Sequence, residues 1–124
     1  MKIRACMRIP NAEKAIVDNK KLNQYLLSST HPIGKYKAEI FSSIGYSLLN
    51  IETLKSDLLK TVCNNEAIEV LESEFGKKYI IQSRLGITKE INVITIWIIE
   101  KDEVVPRFVT AYPDRRKYNA EGIR

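Results

Sequence analysis

His31 is the only imidazole in the chain, and so the only side chain that ordinarily titrates near neutral pH. Lys35 and Lys37 follow it within two helical turns. Far downstream, Arg107, Thr110 and Tyr112 share one short segment, Pro106-Arg-Phe-Val-Thr-Ala-Tyr-Pro113. These residue types are enough for metal-independent cleavage of RNA. That reaction deprotonates a 2′-hydroxyl, stabilises a phosphorane and protonates the leaving 5′-oxygen. One imidazole can move the proton, and preorganised cations stabilise the developing charge. In this reading His31 is the general base or acid. Lys37 and Arg107 hold the phosphate, and Thr110 donates a hydrogen bond to the substrate. Lys35 adds a substrate contact, and Trp97 or Tyr112 stacks on a base.

Each residue also has a plainer use. His31, directly before Pro32, can brace a helix start, and Lys35 and Lys37 can form a solvated helix edge. Trp97, between Ile96 and Ile98, fits a hydrophobic core better than a stacking platform. Arg107 can pair with a strand glutamate, and Thr110 is a good strand residue in any case. Parity adds a condition. Positions 107 and 110 are three apart, so a regular strand sends them to opposite faces. A bulge, for instance near Pro106, is needed to bring both to one site.

Other chemistries find little support. Cys6 and Cys63 give neither a disulfide framework nor a zinc spacing. Gly34-Lys35 lacks the upstream glycine of a P-loop, and no dinucleotide fingerprint occurs. Glu66, Glu69, Glu72 and Glu74 read best as a charged edge strand that discourages further pairing. No cofactor and no metal are therefore expected.

The frame that must position these residues is one domain's worth of chain, 124 residues with 44% hydrophobic and 28% charged. No run is apolar enough to span a bilayer and the start has no apolar leader, so a cytoplasmic protein without a membrane partner is expected. The net charge of +5 suits a polyanion such as RNA, or mere solubility.

Three helices are predicted first. One follows Asp18 as N-cap and carries Leu22, Tyr25 and Leu26. The second runs from about Gly34 to Ser43 and stops at Gly45. The third starts after Asn50, which can N-cap it, and runs to about Cys63, with Leu54 and Leu58 on its stripe. The period then changes. Strands are predicted over 66–75, 78–87, 91–100 and 104–112, with a hairpin at Gly76-Lys77. The fold class is therefore α+β: N-terminal helices packed on a C-terminal four-stranded antiparallel meander. Leu22, Leu26, Phe41, Leu54, Leu58, Ile81 and Ile96 are the expected core.

His31-Pro-x-Gly34-x-x-Lys37-Ala38-x-x-Phe41, then Pro106-Arg-x-Val109-Thr-x-Tyr-Pro113, resemble the pattern of a small bacterial family of domains of unknown function. That resemblance covers roughly residues 7–113. It implies a single domain there, an extension over 1–6 and a polar, basic tail over 114–124. Helices followed by a four-stranded meander are also similar to the barnase/EndoU/colicin/RelE-like ribonuclease toxins. The matching pieces are His31, Lys35, Lys37, Arg107, Thr110 and Tyr112, although a second histidine is missing. This second resemblance implies a ribonuclease toxin of a toxin–antitoxin or interbacterial competition system, with RNA as substrate and an antitoxin or immunity protein as partner. The other class to weigh is a non-catalytic binding module, itself of the immunity or antitoxin kind.

Overall fold

The computed structural model describes residues 8–23 and 32–114, and for 32–37 the backbone alone. A short turn at Ala12–Lys14 leads to α1 (Asn19–Lys21), α2 (Pro32–Ser43) and α3 (Ile51–Asn64). Four strands follow: β1 (Glu69–Ser73), β2 (Gly76–Leu85), β3 (Ile91–Glu100) and β4 (Arg107–Pro113). They pair in sequence order as one antiparallel sheet. The helices pack on one of its faces, as the change of period near Glu66 implies.

Local chemistry explains the helix ends. The Asp18 carboxylate accepts from the Lys20 backbone N–H at 2.9 Å, the expected N-cap. At the end of α2, Tyr46 N–H bonds Phe41 O and Gly45 N–H bonds Ser42 O, both at 3.0 Å. This paired closure needs a left-handed residue, and Gly45 supplies it with φ 111°. Asn50 differs from expectation. Its carboxamide accepts from Ser47 N–H at 2.7 Å and donates to Gly45 O at 2.9 Å, so it closes the turn before α3 and does not cap α3 itself. α3 buries Leu54, Leu58, Thr61 and Val62, one stripe at helical spacing.

That stripe meets Phe41, Ile44 and Leu22 on one side, and Ile81, Val93, Trp97, Phe108 and Ala111 of the sheet on the other. Five of the expected core residues, Leu22, Phe41, Leu54, Leu58 and Ile81, are completely buried. Leu26 lies outside the described residues. Ile96 is only half-buried; with its register partner Ile80 it belongs to the sheet face opposite α2 and α3, where Ile94 is buried.

The β1–β2 turn also corrects the sequence reading. Ser73 pairs with Gly76, so Glu74-Phe75 form the loop and Gly76 opens β2. Gly76 has φ 138°, and a Cβ there would lie 2.3 Å from Ile99 O. Gly76→Ala should therefore lose roughly 1–3 kcal/mol of stability in urea melts, the usual range for a strained backbone position. A neutral substitution would contradict the close approach of β2 to β3.

Candidate functional site

The geometry of β4 decides which side chains meet. Ile98 pairs with Arg107 and Trp97 with Phe108, but Ile96 pairs with Thr110. Val109 is thus an extra residue, a β-bulge. Cross-strand partners point to the same side of a sheet, so Arg107, Thr110 and Tyr112 take the side of Ile98, Ile96 and Ile94. The parity obstacle is removed, at Val109 and not near Pro106. Pro106 lies outside the strand, where its carbonyl accepts from Ile16 N–H at 2.9 Å.

This outer face reads rung by rung. Lys78, Ile98 and Arg107 form one rung, and Ile80, Ile96 and Thr110 the next. Gln82, Ile94 and Tyr112 form the third, and Arg84 with Asn92 the fourth. Same-face positions along a strand are about 6.6 Å apart, and alternate strands about 9.6 Å. Lys78 and Arg107 therefore flank an isoleucine at one end of the face. Arg84 and the Gln82–Asp114 pair stand at the other. Lys78, Gln82 and Asp114 are polar groups that the sequence reading did not select. Their signal is the strand alternation itself, which becomes usable only once the register is known.

Arg107 is an exposed guanidinium whose Nε donates to Glu103 Oε1 at 3.0 Å. That hydrogen bond and the adjacent negative charge raise its already high pKa, so it remains a cation. One of its five N–H donors is used in this bond. Thr110 is half-buried and Tyr112 is 38% exposed, an accessible ring beside Ile94.

Trp97 is placed differently. It lies on the helix-side face, completely buried, with its indole N–H donating to Thr95 Oγ1 at 3.0 Å. Phe108 packs edge-on against it at 5.4 Å between centroids. It is a core residue and not a stacking surface. His31 lies outside the described residues. Positions 35 and 37 both fall within α2, in the part for which the backbone alone is described. Phe41, further along α2, is buried in the core layer, whereas Arg107, Thr110 and Tyr112 occupy the opposite face of the sheet.

Two polar clefts adjoin the far end of the outer face. One, of about 250 Å³, lies between α3 and the end of β2 and includes Tyr46, Asp57, Thr61 and Ser83. The other, of about 470 Å³, is lined by Asn65, Gln82, Ser83, Arg84, Asn92 and Asp114. Inside the first, the buried Tyr46 hydroxyl donates to Asp57 Oδ2 at 2.6 Å. Burial, reinforced by the Asp57 bond and charge, pushes the phenol well above its ordinary pKa near 10. Its neutral form is therefore favoured in the folded chain. Above about pH 10 the unfolded tyrosine ionises first, the unfolded state holds fewer protons, and stability should fall as pH rises. Tyr46→Phe should flatten that alkaline loss in melts taken between pH 8 and 11. An unchanged slope would place its origin elsewhere.

Among the described residues no group of three or more His, Cys, Asp or Glu is placed to hold a metal ion. Among them, too, no helix is long and apolar enough to cross a membrane.

The sequence profile of a domain of unknown function, DUF6883, matches residues 8–115. The chain belongs to the DUF6883 family. No curated protein matches this DUF6883 chain. Among solved structures, its fold is similar to a chain of a "Contact-dependent growth inhibition toxin - immunity protein complex from Klebsiella pneumoniae 342". The TM-score is 0.64, with 22% identity, over 80% of the DUF6883 chain and 99% of the other. At that identity the likeness establishes a shared fold.

Proposed function

We propose that this DUF6883 chain is a metal-independent ribonuclease of the toxin kind, acting on the outer face of its sheet. The observation that carries this reading is the Val109 bulge, which sets Arg107, Thr110 and Tyr112 in one row on the sheet face opposite α2 and α3. A bulge that re-aims side chains is common beside active sites. Arg107, with Lys78 across the rung, offers two cations to a phosphate backbone. Thr110 offers a hydroxyl one rung on, and Tyr112 an accessible ring for a base. His31 is the proton carrier in this scheme, as the chain's only imidazole. Fold likeness to a chain of a toxin–immunity complex supports a role in bacterial conflict, with an immunity or antitoxin protein as partner. A cytoplasmic site of action belongs to the same proposal.

The test incubates purified protein with total RNA, with and without EDTA, beside His31→Ala. Cleavage that survives EDTA and is lost in the variant is the expected result. Intact RNA with the wild-type protein would reject the reading.

One observation favours the second reading, a non-catalytic partner protein. A cleft of about 530 Å³ beside the β1–β2 hairpin includes Glu72, Glu74, Glu100 and Glu103 against Lys77 and Lys101, with Ile99 and Tyr79 between them. Its excess of carboxylates over lysines suits a basic protein surface. Harmless high-level expression of the wild type would favour it, whereas toxicity would favour the ribonuclease.

A further inference from the structure

We propose that Asn11 is a positioning residue for Arg107, acting through the segment 11–16 that lies along the edge of β4. Its effect on cleavage rests on the ribonuclease reading above; its effect on the guanidinium does not. Three hydrogen bonds stitch this segment to the chain around Arg107. Asn11 Nδ2 donates to Val104 O at 2.7 Å. Ile16 N–H donates to Pro106 O, and Phe108 N–H donates to Ile16 O, both at 2.9 Å. The bonded residues 104, 106 and 108 alternate along the chain, as they do along one edge of a strand. Ile16 and Arg107 thereby form a parallel bridge.

Arg107 needs this second anchor. It opens β4, and only it and Phe108 pair with β3 before the Val109 bulge breaks the register. Pro106, just before it, has no N–H to add. A ladder of two rungs leaves the base of the side chain loosely held. Misplacing a reacting group by about 1 Å can cost roughly 10²-fold in rate. The Ile16 bonds bracket Arg107 from the side away from β3. The stitching also reaches the far end of its side chain. Val104 follows Glu103, whose Oε1 takes the Arg107 Nε–H at 3.0 Å. The bond at Val104 O thus holds the stretch that carries this carboxylate.

Asn11 makes its bond from a left-handed backbone, φ 58° and ψ 31°, which no other non-glycine residue shares among the described residues. Asparagine tolerates that conformation. Its carbonyl accepts from Lys14 N–H at 2.9 Å and starts the turn Ala12–Lys14 that leads to Ile16. Glycine would satisfy this backbone equally well. What Asn11→Gly removes is therefore the carboxamide and its bond to Val104 O. The same stretch of chain is also tied to α3, where Arg8 Nη1 donates to Cys63 O at 2.7 Å. That tie involves none of residues 104–108, which makes it the control.

The test uses the isotope-labelled full chain with two readouts. One is the Arg107 Nε–Hε resonance, assigned by its loss in Arg107→Lys. The other is single-turnover cleavage of an oligoribonucleotide at saturating protein. Asn11→Gly should shift or broaden the resonance. It should slow cleavage about 3–30-fold, within the range of coupling inside one hydrogen-bond network. Placed on Arg107→Ala, it should slow cleavage no further. Asn11→Asp keeps the shape, and its ionised carboxylate cannot donate. It should act as Asn11→Gly does, which excludes a loosened turn as the cause. Arg8→Ala should lower the melting temperature and leave both readouts as in the wild type. A wild-type resonance in both Asn11 variants, or equal slowing with and without Arg107, would overturn the proposal. A changed resonance in a chain that leaves RNA intact would support the positioning and reject the ribonuclease. Cleavage at the wild-type rate in both Asn11 variants would do the reverse.

Discussion

Trp97→Ala should destabilise the fold by about 3–5 kcal/mol, the range for truncating a buried large aromatic side chain. Trp97 is completely buried in the middle of β3, faces Tyr79 on β2 and Phe108 on β4, and anchors its N–H on Thr95. Its removal empties the centre of the layer between sheet and helices and leaves Thr95 without its donor. Because it is the only tryptophan, unfolding must be followed by circular dichroism in urea. Tyr112→Ala is the matched control. Its ring is accessible on the other face, so it should cost under about 1 kcal/mol, as exposed positions usually do. A Trp97 variant as stable as the Tyr112 variant would show that the two aromatic roles are reversed.

Loss of cleavage should be the largest functional effect. His31→Ala should slow single-turnover cleavage about 10²–10⁴-fold, the usual contribution of a general acid or base. Arg107→Ala should slow it roughly 10²–10³-fold if the guanidinium meets the charge that develops in the transition state. Arg107→Lys separates charge from geometry, since lysine keeps the charge and loses the planar fork. It should recover only part of the rate. Thr110→Val keeps the shape and removes the hydroxyl, so its loss should appear in the cleavage rate. Glu103→Gln releases the Arg107 Nε partner and should leave cleavage equal or faster. A set of variants that all cleave as the wild type does would remove the outer face from consideration.

Much of the fold was legible because it follows from local rules. The isoleucine and valine runs of β2 and β3, the Asp18 cap, the Gly45 stop and the Leu54–Leu58 stripe each report a preference of the residues themselves. The misplaced details depend on neighbours distant in sequence. Gly76 looked like a turn glycine, yet it is required by the approach of Ile99 O from β3. Asn50 looked like a helix cap, yet Ser47 and Gly45 compete for its carboxamide.

The site was legible in residue type more than in place. Arg107, Thr110 and Tyr112 could be named, but parity set Arg107 against the other two. Only the pairing of Ile96 with Thr110 reveals that Val109 is extra. Pro106 drew attention because it breaks strands, although the break it makes precedes β4. The Gln82–Asp114 hydrogen bond joins β2 to the end of β4 across β3, and no spacing within the chain signals it.

The most direct measurement compares one oligoribonucleotide with its all-2′-deoxy counterpart, both incubated with the wild-type protein in EDTA. Attack by the 2′-hydroxyl requires the ribose and no metal ion. The expected result is cleavage of the ribo strand to 2′,3′-cyclic phosphate ends, with the deoxy strand intact. An uncut ribo strand, or cleavage that EDTA abolishes, would contradict the assignment of this face to metal-independent RNA cleavage.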